Sequence, residues 1–340
     1  MALLFMDSFD HYVTADFLEK YAALAGGPVL TAAAGRRSSA ALVCQYGAYV
    51  TTRALAPASP TCLIGVAYKM MVMPGGTATP VLEIRSGGAT QLTIALNPAG
   101  FLEARRGLYY GTLLGTTSVS ISAGSFVCVE VQVLLHLSAG TVTIRFNGVE
   151  VLAVTGVNTC NSGTAGWDSV KLLNEASGAA HYDDLYIADG SGPAPWNGFL
   201  GDVRVDARYP TAEGASAQWT PSAGTDNALM VDETAPDDDT TYTATSTVGH
   251  TDTHVVQDAP VAGATVYGVQ LNLSVKKMDA GACTIAPVVR HSGTNYPGAA
   301  VAPGTGYGYQ LAVYPTNPGT SAAWTEAGFN AAEFGYTRTA

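Results

Sequence analysis

Charged residues are scarce in this chain of 340 residues, basic ones above all. Only 13% of the residues are charged, and 16 Lys and Arg stand against 27 Asp and Glu, which gives a formal net charge of −11. Phosphate backbones are held by clustered Lys and Arg, and no such stripe is present, so the sequence predicts no nucleic-acid binding. The same shortage argues against attraction to anionic lipid.

Cysteine is rare and scattered. The five thiols show no CxxC spacing, which argues against a zinc site and against a disulfide framework. Their simplest interpretation is as small buried hydrophobic residues of a protein made in a reducing cytosol, which predicts five free thiols. The five positions are Cys44, Cys62, Cys128, Cys160 and Cys283.

Long apolar runs are missing as well. No window of about 18 apolar residues occurs, so the sequence predicts no membrane insertion. The first residues, MALLFMDSFDHY, lack a basic start and are interrupted by Asp7, unlike a signal peptide. We therefore expect synthesis in the cytoplasm without secretion. Helical periodicity is limited to residues 16–24, where Thr14 is a candidate cap and two helical turns are expected.

Catalytic motifs are equally absent. Neither the GxGxxG nor the GxxxxGK[ST] phosphate-binding pattern follows a strand, and no GxSxG nucleophile elbow is present. Glycosidases of sandwich folds use two facing carboxylates. The acidic residues of the predicted strands, Glu83, Glu130 and Glu150, are isolated from one another in sequence. The sequence therefore predicts a protein that is not an enzyme.

Strand patterns are what the chain does contain. Residues 126–136 alternate, with Val127, Val129 and further apolar residues on one face and Glu130 and Gln132 on the other, as in a half-buried strand. A second strand over 141–146 is followed by Asn147-Gly148, a pair that favours the positive φ angles of a type I′ hairpin turn. Residues 149–154 are expected to return as its partner strand.

Short strands with regular turns continue through the chain and predict an all-β fold. The Gly- and Pro-rich stretch 189–198 is typical of a linker, so we place a domain boundary near residue 200. The predicted domains are a β-sandwich over 1–200 and a second, acidic β-sandwich over 201–340, which carries 6 basic and 14 acidic residues. The further strands are expected at 62–72, 81–84, 92–96, 182–188, 199–209, 240–247, 265–275, 283–289, 310–314 and 335–339.

Candidate binding residues are few. Asp183 and Asp184 stand at the start of a strand, where they could hold a calcium ion or a sugar hydroxyl, or could cap a turn through backbone N–H groups. Trp167 and Trp196 flank this segment and are candidate aromatic platforms for a sugar ring. The alternative for both tryptophans is a place in the core or in a subunit interface.

Two further clusters bear ligand-type side chains. His250, Asp252 and His254 would share one face of a strand, although a polar, solvent-facing surface explains them as well. Asp237, Asp238 and Asp239 form a run of hard oxygen ligands and are a candidate calcium site. This run lacks the alternating spacing and the glycine of a calcium loop, so a solvated turn is the alternative.

Several stretches resemble the concanavalin A-like, laminin-G-like jelly-roll domains of phage particle proteins, and they cover roughly residues 1–200. A later block resembles tailed-phage structural proteins in which a second β domain follows. The first set comprises Asp7-Ser-Phe-Asp10, the strand 126–135, the hairpin 140–149, Gly166-Trp-Asp-Ser-Val-Lys-Leu172 and 182–189; the later block comprises 199–206, 209–214 and 324–335.

The resemblance implies a structural or adhesion component of a tailed-phage virion, associated with the tail, baseplate or fibre. Its partners would be other virion proteins, with host-surface glycans as candidate ligands. Low charge and Ala- and Gly-rich surfaces suit permanent subunit contacts. We expect a homo-oligomer, with a trimer favoured because it fits fibres and spikes. A head decoration or head-fibre protein, and a stand-alone carbohydrate-binding module, remain alternatives.

Overall fold

The computed structural model describes residues 3–340, and nearly all of its regular structure is β-strand. The chain divides into two compact units, one ending at Val205 and the other spanning Asp206–Ala340. The sequence placed this division near residue 200. Every strand pairing in both units is antiparallel, so the predicted all-β class is confirmed.

Over its described residues, 3–205, the first unit contains fifteen strands and one short α-helix. Short 3-10 turns also occur at Thr14–Asp16 and Arg36–Ser38. The elements are β1 (Leu3–Asp7), α1 (Phe17–Lys20), β2 (Tyr21–Ala25), β3 (Val29–Thr31), β4 (Ala41–Cys44), β5 (Tyr49–Thr52), β6 (Thr61–Met70), β7 (Thr79–Ser86), β8 (Ala89–Leu96), β9 (Phe101–Arg106), β10 (Thr112–Ser120), β11 (Val127–Leu134), β12 (Gly140–Phe146), β13 (Val149–Val157), β14 (Ser169–Leu173) and β15 (Ala180–Ala188).

Two large sheets make up this unit as a jelly-roll sandwich. The eight-stranded sheet has the order β13-β12-β11-β6-β15-β4-β3, with β1 added beside β15, and the seven-stranded sheet has the order β10-β9-β8-β7-β14-β5-β2. Tyr182 of the first sheet is fully buried, and its single hydroxyl proton is shared between the carbonyls of Val81 at 2.8 Å and Leu173 at 2.7 Å in the second. The alternate apolar residues of both sheets therefore meet in one core.

The predicted hairpin is confirmed. Asn147 and Gly148 have φ angles of 48° and 82°, and Phe146 pairs with Val149 on either side of the turn. The side-chain Oδ1 of Asn147 also accepts the backbone N–H of Cys128 at 2.9 Å, which ties the turn to β11. Local turn chemistry is thus sufficient to define this connection.

The predicted helix over residues 16–24 is largely wrong. Only Phe17–Lys20 is helical, and Tyr21–Ala25 is a strand that pairs with β5. Thr14 does not cap the helix, since its hydroxyl accepts the backbone N–H of Leu30 at 2.9 Å. Pairing with an existing sheet edge outweighs the weak helical pattern of so short a segment.

The outer face of the eight-stranded sheet is covered, which the alternation of β11 did not indicate. Glu130 was expected on a polar face, yet it is fully buried. Its Oε1 accepts the hydroxyl of Tyr186 at 2.7 Å and the backbone N–H of Gly201 at 2.8 Å. The guanidinium of Arg145 lies over the ring of Phe199. Residues 199–205 therefore lie on this face as an irregular segment, and the strand expected over 199–209 does not form.

The second unit contains nine strands, a short α-helix and a 3-10 turn at Ala228–Met230. Two of its strands, those expected over 240–247 and 265–275, are shorter than the pattern in the sequence indicated. The elements are β16 (Pro210–Ala217), β17 (Thr220–Pro221), β18 (Thr243–Ala244), β19 (Thr251–Val256), β20 (Val269–Val275), β21 (Ile285–His291), β22 (Thr294–Pro297), β23 (Gly308–Tyr314), α2 (Glu326–Asn330) and β24 (Glu333–Arg338).

One five-stranded sheet, in the order β16-β19-β24-β21-β22, dominates the second unit. A two-stranded ribbon of β20 and β23 lies against its buried cluster through residues such as Leu271 and Tyr314. The strand expected over 240–247 is reduced to Thr243–Ala244. Thr241 instead turns back on Asp237, whose Oδ1 accepts the Thr241 backbone N–H at 3.1 Å, and such local bonds compete with a strand ladder.

All five cysteines are free, which confirms the prediction of no disulfides. Four of them are buried, and burial raises the pKa of the Cys128 thiol to about 12. Within the part of the chain that is described, no helix is long and apolar enough to cross a membrane.

Candidate functional site

The two tryptophans proposed as sugar platforms are both in the interior. Trp167 and Trp196 are each only 4% exposed. The indole N–H of Trp167 donates to the carbonyl of Thr61 at 3.0 Å, as a structural tryptophan does. A sugar ring needs an open aromatic face, and neither indole offers one. These two residues therefore do not form the glycan platform that the sequence suggested.

Asp183 and Asp184 lie at an irregularity in β15 and anchor neighbouring backbone. Asp183 accepts the backbone N–H of Arg36 at 2.7 Å and the hydroxyl of Ser39 at 2.8 Å through Oδ2. Asp184 has a φ of 52°, and its Oδ1 accepts the backbone N–H of Val205 at 2.8 Å. This arrangement matches the alternative interpretation, in which the pair caps turns.

The surroundings of Asp183 are strongly acidic. Burial and the neighbouring charge of Asp184 raise the pKa of Asp183 to about 7. Burial also raises the pKa of Asp10 to about 6, and Asp184 contributes to that shift. Asp10 belongs to the Asp7-Ser-Phe-Asp10 stretch, but nothing local in the sequence indicated that it would lie near β15. The guanidinium groups of Arg36 and Arg37 lie 3.4 and 3.3 Å from Asp184 and offset its charge.

The acidic run of the second unit is spread over different partners. Asp237 accepts the Thr241 hydroxyl at 2.9 Å, whereas Asp239 pairs with Lys276 and accepts the hydroxyl of Tyr307 at 3.2 Å. Asp238 has a φ of 58° in the turn between them. Among residues 3–340, no group of three or more His, Cys, Asp and Glu side chains is arranged to hold a metal ion. Calcium binding at Asp237, Asp238 and Asp239 stays a prediction.

His250, Asp252 and His254 do not form the polar, solvent-facing surface that was the alternative for them. Asp252 is fully buried, and its Oδ1 accepts the backbone N–H groups of Gln218 at 2.6 Å and Trp219 at 2.8 Å. His254 is 3% exposed, and burial lowers its pKa. Desolvation therefore keeps this imidazole neutral, and Asp252 serves to hold the connection before β17.

The outer face of the seven-stranded sheet carries a set of charged residues that the sequence analysis did not single out. We call it the charged face. Cross-strand pairing places its members side by side, since Lys171 pairs with Thr51 and Glu83, and Glu83 pairs with Thr93, which pairs with Arg105. The charged face comprises Tyr49 and Thr51 of β5, Lys171 of β14, Glu83 and Arg85 of β7, Thr93 of β8, and Glu103 and Arg105 of β9.

Acidic residues form the floor of this face. Glu83 is only 3% exposed, and its Oε2 accepts the hydroxyl of Thr90 at 2.9 Å and a guanidinium N–H of Arg85 at 3.1 Å. Glu103 is 8% exposed and pairs with Arg105 at 2.7 Å. Each arginine is thereby fixed by a buried carboxylate while about a fifth of its side chain stays exposed.

Lys171 differs from the two arginines. No ion pair found among residues 3–340 involves it, and its Nζ lies 3.9 Å from the centre of the Tyr49 ring. Burial lowers the pKa of this lysine, with the charge of Glu83 acting in the opposite direction. Within the described chain, the charged face thus holds one cation without a carboxylate partner, next to an aromatic ring.

A turn closes one end of the charged face. The hydroxyl of Thr93 donates to the carbonyl of Gly107 at 2.6 Å, and Arg105 donates to the carbonyl of Gly111 at 2.9 Å. Between these two glycines stands Tyr110, which is 71% exposed. An exposed tyrosine beside half-buried cations is a combination that binds the apolar face and the polar groups of a ligand together.

One signal in the sequence could have located this face. A glutamate precedes an arginine by two positions twice, in Glu83-Ile-Arg85 and in Glu103-Ala-Arg105. Residues two apart in a strand share a face, so each tripeptide places an ion pair on one side of the sheet. Neither tripeptide shows that both of them, together with Lys171, lie on strands of the same sheet.

Comparison with known proteins bears on this fold. No family model matches the chain, and no curated protein matches it. Among solved structures, an endo-β-1,4-glucuronan lyase from the fungus Trichoderma reesei is similar over 53% of this chain and 93% of its own, with 12% identity and a TM-score of 0.41. An alginate lyase, Aly36B, is similar over 52% and 91%, with 13% identity and a TM-score of 0.36.

A third similar structure is domain 4 of an extracellular arabinanase from Geobacillus stearothermophilus in complex with arabinotriose, over 48% of this chain and 76% of the other, with 16% identity and a TM-score of 0.34. At these identities the likeness concerns the β-sandwich fold alone. The prediction that the chain is not an enzyme is wrong on this comparison, because polysaccharide lyases stand among the similar structures.

Proposed function

We propose that this chain is a structural or adhesion component of a tailed-phage particle and that it contacts host-surface glycans with its charged face. The observation that carries the glycan part is the ammonium group of Lys171 over the ring of Tyr49, beside two arginines held by buried carboxylates. The phage part rests on the resemblance of residues 1–200 and of the later block to phage particle proteins.

The charged face has the features that a sugar-binding surface needs. Sugars present hydroxyl groups that both donate and accept hydrogen bonds, together with apolar C–H faces that pack on aromatic rings. The guanidinium groups of Arg85 and Arg105 donate, the hydroxyl of Thr51 can do both, and Tyr110 at the end of the face supplies an exposed ring. Ion pairing to buried carboxylates holds the two arginines in place before any ligand arrives, which lowers the entropy lost on binding.

A place in a particle also fits the composition. The chain has few charges and many Ala and Gly residues, which suits subunit surfaces that stay in contact. We propose a homo-oligomer, with a trimer favoured, located in the virion beside other virion proteins. A head decoration or head-fibre protein is the alternative within the particle, and a stand-alone carbohydrate-binding module is the alternative outside it.

Mass spectrometry and cryo-electron microscopy of the intact particle test the virion proposal. We expect this chain in purified particles at a fixed copy number, with the tail or baseplate as its position. Density at the head would favour the head-fibre alternative. A chain that is missing from purified particles but is retained by a sugar column would overturn the virion proposal in favour of the carbohydrate-binding module.

Competition for adsorption tests the glycan contact. The full-length chain, added to host cells before the phage, should reduce phage adsorption, and removal of surface polysaccharide from the cells should abolish binding of the chain. Binding that survives this removal would show a protein or lipid receptor and would contradict the proposed glycan contact.

A further inference from the structure

The chain as a whole is acidic, but the charged face of the seven-stranded sheet carries more basic than acidic residues. The whole chain has an excess of 11 acidic charges. On the charged face, however, the three basic residues Arg85, Arg105 and Lys171 stand against the two acidic residues Glu83 and Glu103. The fold thereby places one more basic than acidic residue on this face, and such a local excess of positive charge attracts anions over about a Debye length.

We infer that the ligand of the charged face is a polysaccharide that bears carboxylates, with Lys171, Arg85 and Arg105 as the residues that bind them. This inference rests on the proposed glycan contact and names the chemical class of the glycan. Lys171 is the residue that decides the class, because its ammonium group forms no ion pair among residues 3–340. Glu83 is already bound to Arg85 and Thr90, and Glu175 acts on Lys171 only through its charge. An incoming carboxylate supplies the missing partner.

The arginines favour a planar carboxylate over other anions. A guanidinium group presents its N–H donors in a fixed fork that matches the two oxygens of a carboxylate. Glu83 and Glu103 already engage one side of Arg85 and Arg105, at 3.1 and 2.7 Å, and about a fifth of each arginine side chain remains open to solvent. Cross-strand pairing places Lys171, Glu83, Thr93 and Arg105 in one row across the sheet, with Arg85 two residues from Glu83 along its strand. A row of this kind suits an extended chain of sugars.

A neutral polysaccharide is the weaker candidate for this surface. When a neutral sugar binds, a half-buried ammonium group loses bound water and gains only hydrogen bonds to hydroxyl groups. A carboxylate also neutralises the charge of the ammonium group. Burial lowers the pKa of Lys171, so a bound anion would also stabilise the protonated amine. Because salt screens the attraction between these cations and an anionic ligand, binding should weaken as the salt concentration rises.

Affinity electrophoresis of the full-length chain tests the inference. Gels would contain alginate as a carboxylated polymer, dextran sulfate as an anionic polymer without carboxylates, or dextran as a neutral one. We expect the strongest retardation in alginate, little in dextran, and a loss of retardation in alginate at high salt. Lys171→Gln should raise the apparent dissociation constant for alginate about tenfold or more, since hydrogen bonds to charged groups contribute at about that level.

Lys69→Gln is the matched control. Lys69 is also a half-buried strand lysine over an aromatic ring, at 4.3 Å from the centre of Phe126, but it belongs to the eight-stranded sheet. This variant should bind alginate as the parent chain does. Circular dichroism would establish that both variants fold, so that a lost affinity at Lys171 is not a lost structure.

The outcomes separate the class of ligand from the proposed function. Equal retardation in alginate and dextran sulfate would overturn the assignment of a carboxylate ligand. If the Lys69 and Lys171 variants lose affinity for alginate equally, the charged face is not the binding site. Retardation in dextran alone would leave the glycan contact standing and refute the anionic class. If none of the three polymers retards the chain, and the chain does not compete with phage adsorption, the proposed glycan contact itself is refuted.

Discussion

The two units of this chain reach a folded state by different means. The first unit has 51 buried hydrophobic residues among those described, and the second has 12. Two sheets of eight and seven strands face each other in the first unit, whereas one five-stranded sheet is covered by a two-stranded ribbon in the second. A ribbon cannot cover a whole sheet face, so the second unit leaves most of its residues partly exposed.

This difference shows what replaces a large core. The second unit fixes its loops with buried polar groups such as Asp252. This carboxylate accepts hydrogen bonds from two backbone N–H groups and a third from the side-chain amide of Asn227 at 2.7 Å. The first unit also has a buried polar centre, but there Asp7 and Lys20 form an ion pair at 3.1 Å inside a ring of aromatic side chains. The second unit thus relies more on buried hydrogen bonds, and the first relies more on a large apolar core.

Removal of the buried carboxylate in Asp7→Ala should destabilise the chain most. The ammonium group of Lys20 loses its ion-pair partner at full burial, and Tyr12 and Tyr21 lose an acceptor at 2.8 and 2.6 Å. We expect a loss of about 3–5 kcal/mol in the free energy of unfolding, measured with urea. Asp252→Ala, which removes only hydrogen bonds, should lose about 1–3 kcal/mol. Equal losses at the two sites would break the distinction between the units.

Matched core truncations sharpen the same comparison. Leu63→Ala in the first unit removes a fully buried side chain from β6, and Leu273→Ala in the second removes one that is 8% exposed on β20. Leucine truncation costs about 2–5 kcal/mol, and the amount depends on how far the site can collapse. We expect Leu63→Ala near the upper end of this range and Leu273→Ala near the lower end, both measured by urea unfolding. The reverse order would show that the smaller core is the more tightly packed.

Two hairpin turns offer a test in which the units should not differ. Asn147-Gly148 and Ser292-Gly293 have the same φ angles, 48° at the first residue and 82° at the glycine, and apart from the adjacent residues no atom lies within 4 Å of a Cβ built on either glycine. Gly148→Val and Gly293→Val should each lose about 1 kcal/mol or more, because only the backbone is strained. Chemical denaturation would measure both losses, and a clear difference between them would show that the surrounding unit contributes to turn strain.

The acidic residues near β15 give the first unit a pH dependence. Asp10 and Asp183 have pKa values of about 6 and about 7 in the folded chain, above the ordinary value of 3.8. A raised pKa of an acid means that folding favours the protonated form. The stability that this adds is fully present below the ordinary pKa, is lost as the pH rises from the ordinary to the folded value, and does not change further above it. The contribution of these two carboxyls to the urea midpoint of the first unit should therefore fall between about pH 4 and pH 7.

Asp10→Asn provides the control for this titration. The amide oxygen can still accept the backbone N–H of Ala40, which the carboxylate accepts at 2.7 Å, but it cannot ionise. The fall in the midpoint with pH should be smaller in this variant than in the parent chain. An unchanged pH dependence in Asp10→Asn would show that the pKa of Asp10 is not raised in the folded chain.

The sequence alone determined the features that depend on near neighbours. Alternation placed β11 and β12, and Asn147-Gly148 set the hairpin that follows, because side-chain periodicity and positive φ are properties of a few adjacent residues. The Asn-Gly signal was easily read, whereas the equivalent turn at Ser292-Gly293 was missed because serine is a weaker marker of positive φ. The all-β class followed from the sum of such local signals.

Only the tertiary structure decided which faces are open and which residues meet. Glu130 belongs to the polar side of its strand, yet the segment after residue 198 covers it and Gly201 bonds to it. Trp167 is interior for the same reason, since burial depends on what packs over a residue. The charged face required separate strands to come together in one sheet, and pairing between residues as far apart as Glu83 and Lys171 is set by the whole topology rather than by local pattern.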